Sequence, residues 1–189
     1  MEEVEVSTEM ELVQHCVEEK RKYQEMLYRK YASKLFGVCL GYSNNHDYAK
    51  DVLQDAFVKV FCSLKKYKGE GSLEGWIRRI VVNTAIDHYR KASKDQQNLS
   101  IENAGNISTD FSALEGIHAK ELKELIHKLP EGARIILNLY AIEGYSHKEI
   151  AQLLNISEGT SKSQLSRGKS LLQSWINKTI SLQTIPQKA

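Results

Sequence analysis

The sequence predicts an all-α fold of two small helical domains joined by a flexible linker. Apolar residues recur at helical spacing almost throughout the 189 residues, and no segment alternates as a strand does. Only two prolines interrupt the pattern. Residues 92–112, between the two helical halves, are polar, rich in Asn, Ser, Gln and Asp, and break the apolar period. A polar stretch of about 20 residues is longer than an ordinary loop and indicates an interdomain linker.

The N-terminal half is predicted to contain four helices, the third of which has two distinct faces. The helices lie within residues 8–21, from 23 to about 41, from 45 to about 66 and from 72 to about 91. The core face of the third is a broad apolar stripe formed by Tyr48, Val52, Leu53, Ala56, Phe57, Val60, Phe61 and Leu64. Beside it runs a mixed stripe, also at helical spacing, formed by Asp51, Gln54, Asp55 and Val58. The spacing of the mixed stripe by itself favours a solvated face, and it also fits docking of a partner helix.

The fourth helix combines an inward stripe with a basic and polar stripe. The inward positions are Trp76, Ile77, Ile80 and Thr84. The second stripe is formed by Arg79, Asn83, Ile86, Asp87 and Arg90. Arginine side chains contact phosphate and asparagine can bond a base edge. The glycine-flanked loop of residues 68–73 can shape a pocket next to Trp76, which serves either as core or as a platform for an unpaired base.

The C-terminal half is predicted to contain helices at about 113–128, 131–143, 146–155 and 158–178, with Pro130 opening the second. The last two form a compact pair in YSHKEIAQLLNISEGTSKSQLSRGK. Ser146 and Glu149 make a capping box at its start, and Ser157 caps the following helix. A pair of this kind presents its second helix to the DNA major groove.

Composition excludes several classes of protein. The charged fraction of 26% and apolar fraction of 41% are typical of a globular chain, and the net charge of +2 is weak evidence for nucleic acid. Lys and Arg are instead concentrated in residues 77–94, which contain five of them, whereas residues 95–118 contain four acidic residues and no Lys or Arg. No signal peptide or membrane span is predicted, and three cysteines without a metal motif favour reduced thiols, so we expect a cytoplasmic protein. The scattered histidines and the absence of an ATP loop predict no enzyme, cofactor, metal or small-molecule substrate.

In this order, the motifs resemble the extracytoplasmic-function (ECF) branch of the sigma-70 superfamily. YQEMLYRKYASKLFGVCLGY is similar to the start of sigma region 2, and DVLQDAFVKVF is similar to the segment that binds the clamp helices of RNA polymerase. YKGEGSLEGWIRRIVVNTAIDHYRK resembles the loop and helix that open and read the minus-10 element. LPEGARIILNLYAIEGYSHKEIAQLLNISEGTSKSQLSRGK resembles region 4, which reads the minus-35 element.

The resemblance implies a sigma factor that binds core RNA polymerase, recognises both promoter elements and promotes promoter opening. It implies polymerase contacts, with Phe57 as support beneath them, at Asp51, Gln54, Asp55 and Phe57. It implies minus-10 contacts at Lys68, Glu70, Gly71, Ser72, Arg78, Arg79, Asn83 and Asp87. It implies minus-35 contacts at Lys162, Ser163, Gln164, Ser166, Arg167 and Lys169.

The expected organisation follows from the same resemblance. Residues 1–22 form a helical extension, 23–92 region 2, 93–114 the linker, 115–178 region 4 and 179–189 a tail. The partners implied are core RNA polymerase, promoter DNA and, in this family, an anti-sigma factor. The alternative is a helix-turn-helix regulator that binds duplex DNA without acting as a polymerase subunit.

The chain departs from the family pattern in its last helix. Ser161 stands where the family usually has valine, so looser packing against Ile150 and Ile156 is expected. Gln164 replaces a common arginine, which favours adenine over guanine. Ser166 has a smaller reach than the bulky residues often found there. The family's usual minus-35 sequence therefore does not transfer directly to this chain.

Overall fold

The computed structural model describes residues 8–96 and 119–183. Within those ranges every regular element is helical, which confirms the predicted all-α fold. The chain divides after Gln96 into two units. Most of the predicted linker, residues 97–114, and the end of the predicted tail lie outside the described residues.

The N-terminal unit contains helices α1 (Glu9–Val17), α2 (Arg21–Tyr42), α3 (His46–Ser63) and α4 (Leu73–Gln96). A short 3-10 turn, Leu64–Lys66, follows α3. Side chains cap the starts of α3 and α1: the Asn45 carboxamide oxygen accepts from the Tyr48 amide at 2.8 Å, and Thr8 Oγ1 accepts from the Glu11 amide at 3.2 Å.

The core of this unit lies among α2, α3 and α4, where α3 presents the predicted apolar stripe. Fully buried side chains come from each part of the unit, namely Leu27, Leu35, Val52, Val60, Leu64, Leu73, Ile77 and Ile86. The predicted core stripe is therefore confirmed, with Tyr48 and Phe61 at its half-buried edges.

Two details of α4 differ from the predictions. The helix continues to Gln96 instead of ending near Lys91. Residues 92–96 are mostly polar, but they contain no glycine or proline, so this segment has no helix-breaking residue. Ile86, predicted on the basic and polar stripe, is 1% exposed and belongs to the core. An apolar side chain next to a buried stripe joins that stripe, because removing its surface from water stabilises the folded unit.

The C-terminal unit contains α5 (Ala119–His127), α6 (Glu131–Leu137), α7 (His147–Leu154) and α8 (Glu158–Gln183). α8 packs against the other three. The core contains Leu172 and Ile176 of α8 together with Ile135, Ile136, Leu139 and Ile150. A Cβ built on Gly168 would lie 3.4 Å from Ala133 Cβ. Glycine at this position therefore allows the close approach of α8 to α6.

The single helix predicted over residues 131–143 is divided in the structure. α6 ends at Leu137 and the chain continues as a π-turn, Asn138–Ile142. Such turns are rare and frequently lie at functional sites. This one leaves Tyr140 40% exposed on the outside of the unit, close to the start of α7.

Candidate nucleic-acid interface

The loop between the 3-10 turn and α4 is shaped by two glycines and a tyrosine. Gly69 and Gly71 have φ of 76° and 81°, values that other residues rarely adopt. The Tyr67 hydroxyl donates to the Gly71 carbonyl at 2.8 Å, which closes the loop. Ser72 Oγ accepts from the Gly75 amide at 3.1 Å and starts α4. The predicted minus-10 residues of this loop are all exposed, namely Lys68, Glu70, Gly71 and Ser72.

Trp76 lies between the core and the surface of the unit. Its side chain is half-buried, and its ring lies 5.6 Å from the ring of Tyr67. The tryptophan thus packs against the loop without being enclosed in the core.

The outward face of α4 begins at this loop and carries the other predicted minus-10 residues. Arg79 and Asn83 are exposed, and Arg78 is half-buried. Asp87 is different, because its carboxylate accepts from Lys59 Nζ at 3.2 Å and also from Arg90. Partial burial opposes the shift, but these two hydrogen bonds hold the pKa of Asp87 below its ordinary value. The structure therefore places Asp87 in a charged bridge between α3 and α4.

The mixed stripe of α3 lies on the surface of the unit. Asp51, Gln54 and Asp55 are exposed, and Val58 beside them is 63% exposed. Asp55 is tied to α4, since its Oδ2 lies 2.7 Å from His88 Nε2.

Phe57 lies beneath this stripe, as its predicted supporting role requires. Only 3% of its surface is exposed, and its ring packs edge-on against Tyr28 at 4.7 Å. Truncation of Phe57 would therefore act on the packing of α3, not on a surface contact.

The helix-turn-helix is built as the sequence predicts. The capping box is present: Ser146 Oγ accepts from the Glu149 amide at 3.3 Å, and Glu149 Oε2 accepts from the Ser146 amide at 2.8 Å. Asn155 ends α7 in the left-handed conformation at φ 55°. The Thr160 amide donates to Ser157 Oγ at 2.9 Å, which confirms the predicted cap of α8.

Helix α8 has one buried face and one accessible face. Ser161, Leu165, Gly168 and Leu172 are buried and define the inner side. The predicted minus-35 residues lie between these positions. Lys162 is exposed, and the others are half-buried, namely Ser163, Gln164, Ser166, Arg167 and Lys169. Lys169 Nζ lies 5.9 Å from the centre of the Tyr140 ring, a cation–π contact.

Ser161 makes a contact that the sequence did not predict. Ser161 is 0% exposed, and its hydroxyl lies 2.8 Å from His147 Nδ1. The His147 ring in turn stacks on Tyr140 at 4.7 Å. Burial and the nearby cations Lys162 and Lys169 lower the pKa of His147, against a smaller opposing effect of Glu158. The sequence did not predict this cluster, because the helix-turn-helix pattern assigns no role to His147; its position fourteen residues before an unusual serine was the available signal.

In the two described stretches of chain, none of the helices has the length and apolar character needed to cross a bilayer.

Comparison with known families identifies both units. The family described as Sigma-70 region 2 matches residues 27–95, and the family described as Sigma-70, region 4 matches residues 119–172.

Whole-chain relatives agree with these matches. The ECF RNA polymerase sigma-E factor of Haemophilus influenzae is 28% identical over 181 residues, which cover 89% of this chain and 95% of the relative. The RNA polymerase sigma-H factor of Pseudomonas aeruginosa is 27% identical, covering 85% and 90%. The ECF RNA polymerase sigma-E factor of Escherichia coli K12 is 27% identical, covering 92% and 96%.

Among solved structures, the sigma factor RpoE in complex with the anti-sigma factor NepR from Bartonella quintana is similar, with a TM-score of 0.47 and 22% identity over 82% of this chain and 96% of that one. The alternative of a regulator that acts without polymerase is not favoured, because both sigma regions are present and the relatives match along nearly their whole length. The chain belongs to the ECF branch of the sigma-70 family and is a sigma factor that binds core RNA polymerase and recognises promoter DNA.

Proposed function

We propose that α8 reads the minus-35 element in the major groove. The observation that supports this assignment is the division of α8, whose inner face at Ser161, Leu165, Gly168 and Leu172 is buried and leaves the predicted contact residues on the other side. Arg167 and Lys162 position the helix on phosphate or guanine, and Gln164 suits adenine. The B-DNA major groove, about 12 Å wide, admits a helix of this kind.

The minus-10 element is read by the loop of residues 68–72 and the outward face of α4. The loop receives one unstacked base of the non-template strand, next to the Tyr67 and Trp76 rings. Arg79 and Asn83 contact the strand that follows. Extruding a base costs a few kcal/mol, and stacking on an aromatic side chain returns roughly 1–3 kcal/mol. One pocket can thus bias promoter opening but cannot drive it without polymerase.

Core polymerase binds the mixed stripe of α3 at Asp51, Gln54 and Asp55, with Phe57 as support beneath. An exposed apolar side chain among carboxylates, as Val58 is, fits an amphipathic partner helix better than a purely solvated face.

The remaining assignments follow the family. The protein is not itself an enzyme and needs no cofactor or metal; it directs the polymerase. It acts in the cytoplasm. Its organisation is an N-terminal extension (1–22), region 2 (23–92), a linker (93–114), region 4 (115–178) and a tail (179–189). RpoE was solved with an anti-sigma factor, and we extend that type of partner to this chain.

Transcription in vitro tests this function. Core RNA polymerase is incubated with a library of genomic fragments, with and without the protein. Transcripts that start at defined positions should appear only when the protein is added. Tight duplex binding without any directed start would instead support the regulator alternative.

A further inference from the structure

Helix α1 reaches the loop of residues 68–72, far along the sequence. A Cβ built on Gly69 would lie 3.4 Å from Met10 Sδ and 3.9 Å from Met10 Cε. These are distances of ordinary packing contact. The thioether of Met10 therefore covers Gly69 on the side that glycine leaves open.

The position of Met10 is set by α2 and not by the loop itself. Leu12, Val13 and Cys16 of α1 are buried. Glu9 Oε1 accepts from the Tyr31 hydroxyl at 2.6 Å and from Lys30 Nζ at 2.9 Å. Both donors belong to α2, so they anchor the first turn of α1, from which Met10 projects.

The loop is thus supported at both of its glycines. Tyr67 holds Gly71 through the hydrogen bond to its carbonyl, and Met10 packs on Gly69. Glycine loses more conformational freedom than any other residue when it becomes ordered. A contact that already orders the loop at either glycine therefore lowers the conformational entropy that the loop loses when it binds a base. Met10 itself stays 50% exposed, so its thioether lies at the surface beside the loop.

We propose that Met10 is a positioning residue for promoter recognition, holding the 68–72 loop in the shape that receives one unstacked minus-10 base. This inference rests on the proposed function of that loop. A flexible thioether suits the task because it follows small movements of the backbone without losing contact. Helix α1, which lies wholly before the matched region 2, then contributes to sequence recognition.

The test uses the full chain assembled with core RNA polymerase. Fork-junction DNA, randomised in its duplex and in its single-stranded non-template segment, is selected with the unmodified protein and sequenced. Binding is then compared for Met10→Ala, for the conservative Met10→Leu, and for Val17→Ala. Val17 is the matched control, because it is an apolar residue of the same helix and 37% exposed.

We expect Met10→Ala to weaken binding of the selected DNA about three- to tenfold, as for loss of one packing contact. Its base preference should weaken at one position of the single strand, with other positions and polymerase co-elution unchanged. Amides of residues 69–71 should exchange hydrogen faster than in Val17→Ala. Met10→Leu should retain the preference.

Other outcomes overturn the proposal. Affinity, preference and exchange equal to those of Val17→Ala would remove the role of Met10 and leave the proposed function intact, provided that the unmodified protein selects DNA. A uniform loss at all positions together with weaker polymerase binding would show a merely structural role. Failure of the unmodified protein to enrich any sequence would remove both the proposed function and this inference.

Discussion

His147 Nδ1 and Ser161 Oγ lie 2.8 Å apart, and their hydrogen bond joins the first turn of α7 to the first turn of α8. Ser161 is fully buried, and the stacking of His147 on Tyr140 extends the link to the π-turn. Polar groups buried between helices must be paired, and a paired group specifies one arrangement of the helices. The serine therefore replaces valine packing with a directional contact.

Removing this hydroxyl should destabilise the C-terminal unit. Ser161→Ala leaves the His147 ring nitrogen without its buried partner, and we expect the free energy of unfolding to fall by about 1–2 kcal/mol. Each unit contains one of the two tryptophans, so Trp175 fluorescence in a Trp76→Phe background reports on the C-terminal unit alone. Ser163→Ala is the control, since its hydroxyl bonds only the Thr160 carbonyl of its own helix. Equal effects of the two substitutions would contradict the role of the buried pair.

Acidification should destabilise the same unit. Burial lowers the pKa of His147, and burial together with Arg134 lowers the pKa of His127, both below the ordinary 6.5. Below pH 6.5 the unfolded chain binds more protons at these histidines than the folded chain does. The stability that the two neutral histidines contribute to the folded unit is therefore complete above about pH 6.5 and is lost as the pH falls through the lowered pKa values. Urea unfolding followed by Trp175 at pH 7.5, 6 and 5 measures the loss. His147→Gln should make the dependence shallower; an unchanged slope would exclude His147 as its source.

The close approach of α6 and α8 should tolerate no large side chain at Gly168. Gly168→Val would drive two methyl groups toward Ala133 and cost about 1–3 kcal/mol of stability by overpacking. Gly159→Val is the matched control in the same helix, because Gly159 is exposed and the nearest atom to an added Cβ is Ser157 Oγ at 3.5 Å. Thermal unfolding should separate the two variants, and comparable melting temperatures would show that the helices yield.

A substitution at Asp51 should test polymerase binding more directly than one at Asp55. Asp51→Arg reverses a charge on the mixed stripe and should abolish co-elution with core polymerase while helical content stays the same. Asp55→Arg also breaks the contact with His88, so its effect includes a change between α3 and α4. Glu25→Arg, on the exposed side of α2, is the control for charge reversal. Co-elution of the Asp51 variant at normal levels would indicate that the mixed stripe is a solvated face and not a polymerase contact.

Two substitutions on α8 should distinguish a side chain that contacts a base from one that contacts phosphate. Arg167→Ala should cost about 1–3 kcal/mol of promoter affinity and relax specificity at one position if the side chain reads a base. Lys162→Ala should weaken binding evenly and reduce the salt dependence by about one ion if it meets phosphate. Lys178→Ala, exposed near the far end of α8, should change neither. Footprints and salt slopes that match the unmodified complex for both variants would reject the assignment of α8.

Much of the fold and the site followed from local patterns. The capping box of Ser146 and Glu149, the cap at Ser157 and the apolar stripe of α3 could be predicted because each depends on residues within a few turns of one helix. The same periodicity identified the outward face of α8. The end of α4 was misplaced, since polar residues 92–96 are compatible with both helix and linker and only the folded chain decides between them.

The sequence by itself determined that the chain is helical, where most of its helices begin, and which family it belongs to, because helix caps and apolar spacing act over a few residues. Only the tertiary structure decided that Ser161 is bonded to His147, that Asp87 is bonded to Lys59 of α3, and that Met10 covers Gly69. The physical reason is that each of these contacts joins separate segments of the chain. Their geometry arises from the packing of whole helices and leaves no periodic pattern in the sequence.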